Sequence, residues 1–79
     1  MLIDIQPLKD YLLKNFIKNK SSIVDNEKLF SSGLIDSFGM LDLIFFIREQ
    51  YGKNIEDYDI ADNNIDTFGE LVNYINKLE

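Results

Sequence analysis

The stretch LFSSGLIDSFGML, residues 29–41, decides how this chain folds. It starts as a polar loop interrupted by a glycine and continues into an apolar segment that opens with Asp36 and Ser37. Asp and Ser are preferred at helix N-caps because their side-chain oxygens accept hydrogen bonds from free amides of the first turn. The stretch therefore predicts a helix that begins near Ser37 and presents a serine hydroxyl at an exposed junction.

This helix is predicted to end at Gly52, after Tyr51, because glycine readily adopts the left-handed conformation that follows many helices. A helical wheel separates two faces. The core face consists of Met40, Leu43, Ile44, Ile47 and Tyr51. The opposite face, which we call the outer face, consists of Phe38, Asp42, Phe45 and Glu49. Two interpretations of the outer face stay open: a docking surface for partners, or a helix side whose Phe38 tucks into a loop and whose Phe45 packs under a short third helix.

A first helix is predicted from apolar residues at helical spacing. These residues are Ile5, Leu8, Leu12 and Phe16. Pro7 fits the opening turn, where its missing amide would have no partner, and the helix is expected to end near Asn19. Residues 19–32 show no sustained period, so we predict a long loop that is anchored to the core by Ile23, Leu29 and Phe30.

The last helix is predicted to begin at Asp66 or Thr67, because Thr67 and Glu70 have capping-box spacing. Its predicted buried residues are Phe68, Leu71, Val72, Ile75 and Leu78. Residues 54–64 are acidic and rich in turn formers, which favours a single short helical turn. The chain is therefore predicted to be a small all-α four-helix bundle, with three main helices, one short helix and a long loop between helices one and two. We expect a single domain over residues 1–79.

Composition restricts the chemistry. A chain of 79 residues has room for one small core but not for a deep cleft with its own walls. It contains no histidine and no cysteine, which excludes the usual general base, a thiol nucleophile and every Cys/His zinc site. Because 46% of the residues are hydrophobic, packed helices supply enough core without a metal. We therefore expect no enzyme activity of its own.

Charge and hydropathy indicate the kind of partner. The net charge is −6, and residues 31–79 carry ten acids against three bases. Such a surface repels phosphate backbones and attracts basic proteins, so nucleic acid is not expected as a partner. No apolar run reaches transmembrane length and no signal segment is evident, so we expect no membrane insertion and a cytoplasmic location.

Asp62, Asn64 and Asp66 are spaced like the start of a calcium loop, but Thr67 replaces the required glycine and no metal site is expected.

The segment GLIDS, residues 33–37, and the closing segment TFGEL, residues 67–71, resemble those of acyl and peptidyl carrier proteins. In that family an Asp-Ser pair followed by a hydrophobic residue marks the serine that a separate transferase loads with phosphopantetheine. The resemblance covers most of the chain, from the first amphipathic helix to the last. The matching residues are Asp36, Ser37 and Phe38.

The resemblance implies that a phosphopantetheinyl transferase, using coenzyme A and Mg²⁺, attaches phosphopantetheine to Ser37 after recognising Asp36. The terminal thiol then holds an acyl or aminoacyl unit as a thioester, which a loading ligase supplies and downstream transferases or synthases consume. Ser37 cannot activate itself, since the chain has no histidine. The chain would be a freestanding, monomeric tether that raises the effective concentration of its cargo.

Fatty-acid-type carriers are strongly acidic on the helix after the serine, whereas this chain has Gly39 and Arg48 at two expected acids. Fatty acyl, polyketide, aminoacyl and surface-polysaccharide cargo all stay open, and residues 33–37 and 65–67 look closer to aminoacyl and D-alanyl carriers. The rival interpretation is a small adaptor or inhibitor that is never loaded, in which Ser37 only caps the helix. A serine cap contributes about 1 kcal/mol, but Asp36 already suits that role.

Overall fold

The computed structural model describes residues 2–18 and 20–78. Within these ranges the chain forms four α-helices: α1 (Gln6–Asn15), α2 (Ser37–Tyr51), α3 (Asp57–Asp62) and α4 (Phe68–Lys77). The described residues contain no strand, and their isolated β-bridge pairs Lys28 with Thr67. The predicted all-α fold, with three main helices, one short helix and a long loop between α1 and α2, is confirmed. None of the helices described is long and apolar enough to cross a membrane.

Both ends of α2 follow the local signals in the sequence. Asp36 is extended, with φ −89° and ψ −172°, and its Oδ1 accepts a hydrogen bond from the Gly39 amide at 2.8 Å. At the other end Gly52 adopts φ 66° and donates its amide to the Arg48 carbonyl at 2.9 Å. The predicted core face is also correct: Leu43, Ile44 and Ile47 are buried, while Met40 and Tyr51 are half-buried.

The predicted end of α1 is wrong. The helix stops at Asn15, before the expected end near Asn19, which itself lies outside the described residues. Phe16 leaves the helical region with φ −127° and ψ −32°, and the amides of Phe16 and Ile17 both donate to the Leu12 carbonyl at 2.9 Å. The Ile17 hydrogen bond spans five residues and so closes a wider turn than that of an α-helix, and it brings Ile17 into the core, where it is 1% exposed. Burial of Ile17 therefore ends the helix early.

The first-turn amides of α1 find acceptors both close by and on α2: Asp4 Oδ1 accepts a hydrogen bond from the Gln6 amide at 3.1 Å, and Tyr51 of α2 accepts another. Ile5, at the N-cap, makes no side-chain hydrogen bond. The Tyr51 hydroxyl instead accepts a hydrogen bond from the Leu8 amide at 3.1 Å and donates one to the Asp4 carbonyl at 2.7 Å. Burial is the largest influence on Tyr51 and raises the pKa of its phenol. The neutral hydroxyl thus satisfies a free first-turn amide and ties the two helices together.

The loop between α1 and α2 lies against the start of α4. Two of its predicted anchors, Ile23 and Leu29, are buried, and Phe30 is half-buried. The Leu29 amide donates to the Asp66 carbonyl at 2.7 Å. Further along, the Gly69 amide of α4 donates to the carbonyl of Asp25 at 2.8 Å. The loop is therefore fastened by backbone hydrogen bonds as well as by apolar burial.

The predicted capping box of α4 is confirmed. Thr67 Oγ1 accepts from the Glu70 amide at 3.1 Å, and Glu70 Oε1 accepts from the Thr67 amide at 2.9 Å. These hydrogen bonds hold the pKa of Glu70 below its ordinary value, the Thr67 amide contributing most. The predicted residues Phe68, Leu71 and Ile75 are buried, whereas Val72 and Leu78 are only half-buried.

Asp66 carries a second set of hydrogen bonds to the loop. Its Oδ1 accepts from the amides of Phe30 and Ser31 at 3.0 and 2.9 Å, and its Oδ2 accepts from the Ser31 hydroxyl at 2.5 Å. The Ser31 hydroxyl is the largest of several influences that lower the pKa of Asp66. A carboxylate is stabilised by these donors, so the ionised form is the one that fastens the loop.

The core face of α2 can be tested with a pair of substitutions on that helix. Ile47 is 0% exposed, so Ile47→Ala is expected to lower the free energy of unfolding by about 2–5 kcal/mol. Asp42→Ala, on the exposed outer face, is expected to change it by about 0.5 kcal/mol or less. Urea denaturation followed by circular dichroism measures both. A larger loss for Asp42→Ala would contradict the assignment of the faces.

The Asp66 hydrogen bonds predict a pH dependence. The pKa of Asp66 is lower in the folded protein than in the unfolded chain, where an aspartate titrates at about 3.9. Ionised Asp66 therefore stabilises the folded protein above the unfolded pKa, and this stabilisation is lost as the pH falls through the folded pKa. Asp66→Asn is therefore expected to be less stable than the wild type at pH 7, by roughly 1 kcal/mol or less because solvent screens the site. The two curves of unfolding free energy against pH should converge as the pH falls through the folded pKa of Asp66. A difference that stays constant across this range would contradict the prediction.

Candidate functional site

The site is built on a short turn before α2. Gly33 has φ 84°, a left-handed backbone conformation that residues other than glycine rarely adopt. Ile35 follows with 3% exposure, and its amide donates to the Leu29 carbonyl at 3.0 Å. The buried Ile35 side chain anchors the turn to the core. The next two residues, Asp36 and Ser37, are exposed at the start of the helix.

Ser37 is the first residue of α2, and Asp36 is its N-cap. The cap hydrogen bond to the Gly39 amide is made by the Asp36 carboxylate, so the Ser37 hydroxyl is not the capping group. The backbone carbonyl of Asp36 also accepts from the Met40 amide at 2.8 Å. The hydroxyl is therefore presented on a rigid first turn, near the positive end of the helix dipole.

An open groove of about 370 Å³ begins at Ser37 and lies between α2 and α3. Its lining consists of Ser37, Met40, Leu41, Asp57, Tyr58 and Ala61. A second cavity of about 400 Å³ shares Met40 and Ala61 with this groove. Its other lining residues are Phe30, Ser31, Ile60, Asn64, Ile65 and Asp66. Apolar surface thus extends from the serine along the junction of α2 and α3.

The outer face is exposed. Phe38 is 81% exposed and Phe45 is 56% exposed, and Asp42 and Glu49 also face solvent. These exposures disagree with the interpretation in which both rings tuck against a loop and α3. Leu41, which the sequence analysis assigned to neither face, is 55% exposed. Phe38, Leu41 and Phe45 are spaced three and four residues apart, so they form one apolar stripe on α2.

Charges around this stripe are mainly acidic. Asp36, Asp42 and Glu49 lie on or beside α2, and Asp57 lines the groove next to Ser37. Arg48, the base of α2, lies 4.0 Å from a Glu56 oxygen in an exposed pair that contributes little to stability. The region around Ser37 is therefore apolar at its centre and negative at its rim.

Sequence reasoning missed the contribution of three residues to this region, and it missed the groove. Leu41 had a local signal, since it lies one helical turn after Ser37 and on the same side of α2. Tyr58 and the groove itself had none, because they depend on how α3 packs beside α2. Asp66 was considered at the start of α4 and in a rejected calcium loop, and its hydrogen bonds to Ser31 span 35 residues of sequence. Such long-range contacts leave no periodic pattern.

No family model matches this chain, and a comparison with curated proteins finds no match. The function is therefore inferred from the residues and geometry of the chain itself.

Proposed function

We propose that this chain is a freestanding acyl or aminoacyl carrier protein that holds its cargo on a phosphopantetheine arm attached to Ser37. The observation that carries the proposal is an exposed serine on the first turn of α2, whose capping role is already filled by Asp36. The GLIDS segment that builds this turn is the segment that resembles the carrier family. The protein acts as a tether and not as an enzyme.

The residues around Ser37 suit a phosphodiester and a long arm. The first-turn amides of Ser37 and Phe38 have no acceptor within the helix, and the helix dipole favours a negative group at this end. The groove that starts at Ser37 offers apolar contacts from Met40 and Leu41 to an attached chain. When attached, phosphopantetheine supplies a terminal thiol that carries the cargo as a thioester.

Loading requires a partner enzyme. The Ser37 oxygen bonds to the phosphorus of coenzyme A that carries the pantetheine, and the bond between the two phosphates breaks, releasing adenosine 3′,5′-bisphosphate. The serine proton must pass to a base of the transferase, because the chain has no histidine and the Asp36 carboxylate is engaged as the cap. The exposed Asp36 is proposed to orient this enzyme, which also brings the Mg²⁺.

The other proposed partners are a loading ligase and the transferases or synthases that consume the cargo. The acidic rim favours basic surfaces on these enzymes, and the stripe of Phe38, Leu41 and Phe45 offers apolar contacts between the charges. The proposed location is the cytoplasm, where such partners and coenzyme A are found. The chain is proposed to work there as a monomer.

One observation favours a second candidate, an adaptor or inhibitor that is never loaded. The exposed aromatic rings of the outer face would suit stable binding to a protein whether or not Ser37 is modified. Loading of Ser37 separates the two candidates, because only the carrier gains a phosphopantetheinyl group.

The first test is incubation with coenzyme A, Mg²⁺ and a broad-specificity phosphopantetheinyl transferase, followed by intact-mass measurement. The wild type is expected to gain one phosphopantetheinyl group, and Ser37→Ala none, while its helical dichroism is retained because Asp36 still caps α2. Ser31→Ala and Ser32→Ala are matched controls that should load once. Peptide mapping that places the group on another serine would overturn the assignment.

A second test separates docking from stability with two adjacent rings of α2. Phe45 is 56% exposed, whereas Phe46 stacks on Tyr11 with ring centroids 4.1 Å apart. Phe45→Ala is expected to lower transfer to or from a cognate enzyme about tenfold with little change in melting temperature. Phe46→Ala should chiefly lower the melting temperature. If Phe45→Ala unfolds the protein, this face is structural.

A third test concerns the acidic rim. Reversal of Asp42 and Glu49 to lysine is expected to slow association with a basic partner severalfold at low salt, and the loss should shrink at high salt as screening increases. Stopped-flow association rates at several ionic strengths measure this. Unchanged rates at low salt would show that docking uses another surface.

A further inference from the structure

Gly39 lies on the first turn of α2, two residues after Ser37, and it is buried. Its backbone is helical, so no left-handed conformation requires a glycine at this position. Glycine is less favourable than alanine within a helix. The reason for a glycine is therefore the space that its missing side chain leaves.

A neighbouring ring occupies that space. A Cβ atom at position 39 would lie 2.7 Å from Cε1 of Phe16, well inside the contact distance of two carbons. It would also lie 3.2 Å from Cγ2 of Ile35 and 3.3 Å from Oδ1 of Asp36. The ring of Phe16 thus packs directly on the turn that carries the cap and Ser37.

Phe16 is itself held in place. It is the C-cap of α1, and its amide donates to the Leu12 carbonyl at 2.9 Å. Its ring meets Tyr11 edge to face at 5.8 Å, and Tyr11 stacks on Phe46 of α2 at 4.1 Å. An aromatic row therefore connects the end of α1 to α2 and limits how far the Phe16 ring can move away from Gly39.

We propose that Phe16 is a positioning residue for Ser37: its ring, seated against Gly39, sets the first turn of α2 so that the serine hydroxyl is held in one geometry for phosphopantetheine transfer. This inference rests on the proposed carrier function. It predicts that added volume at position 39 displaces the turn and slows the chemistry at Ser37, whereas the outer face that binds partners stays intact.

The test measures initial loading rates against carrier concentration, with coenzyme A and a phosphopantetheinyl transferase, at a temperature where dichroism shows every variant folded. Gly39→Ala is expected to lower kcat about three- to tenfold while KM for the carrier changes less than about twofold. The matched control is Gly69→Ala on the first turn of α4, where a Cβ would lie 3.1 Å from the Asp25 carbonyl oxygen. It introduces milder crowding, against a backbone atom, at a helix start that carries no loaded serine, and its kcat should stay that of the wild type.

Rescue of Gly39→Ala by a second substitution would identify the Phe16 ring as the cause of the slower loading. Phe16→Leu removes the atom that crowds position 39, so the double variant is expected to load faster than Gly39→Ala and about as fast as Phe16→Leu alone. Phe16→Leu alone should lower kcat about twofold, less than Gly39→Ala does, because the turn loses its support. If Gly39→Ala does not fold, Phe16→Leu alone still tests the inference, because a wild-type kcat for that variant would overturn it.

The outcomes separate this inference from the function on which it rests. A wild-type protein that gains no mass overturns the carrier function and the positioning role together. A wild type that loads normally, with Gly39→Ala loading equally fast, overturns only the positioning role. Equal slowing by Gly39→Ala and Gly69→Ala, or a double variant that is not rescued, also overturns it, because the effect would then be general loosening and not the contact with Phe16.

Discussion

The hydrogen bond between Asp36 Oδ1 and the Gly39 amide is the interaction on which the rest of the site depends, because it makes Asp36, and not Ser37, the N-cap of α2. An aspartate at the cap satisfies one of the free amides and adds a favourable charge at the positive end of the helix. With the cap provided, Ser37 remains in the first turn with its hydroxyl outward. A serine at the cap would have its oxygen engaged by the helix itself.

This junction is held by contacts from distant parts of the chain. Before the junction, Ile35 is buried in the core. The loop that leads to Ile35 is fastened by Asp66, which accepts hydrogen bonds from the amides of Phe30 and Ser31. On the other side Phe16, from the end of α1, packs against Gly39. Phe16 directly follows α1 and Asp66 lies just before α4, so residues at the ends of two other helices restrict the turn that carries the serine. A small bundle can thereby present one rigid residue without a deep cleft.

The sequence predicted the features whose causes are local. Asp36 and Gly52 gave the ends of α2, and Thr67 with Glu70 gave the capping box of α4, because each signal lies within a few residues of its effect. The end of α1 was predicted wrongly, near Asn19 and not at Asn15, since Ile17 turns into a core that other helices build. The groove beside Tyr58 and the hydrogen bonds of Asp66 were missed for the same reason. These features depend on packing between elements that are far apart in sequence.

The surface beside Ser37 combines two kinds of interaction that act at different stages of binding. In the proposed carrier function, the charges of Asp42 and Glu49 would act at long range and set how fast a basic partner arrives. The exposed rings of Phe38 and Phe45 would act only on contact and set how long such a complex lasts. A carrier that visits several enzymes needs rapid arrival and rapid release. A short apolar stripe with a sparse acidic rim would suit the proposed carrier, because its charges would bring partners together while the small contact area would limit how tightly they are retained.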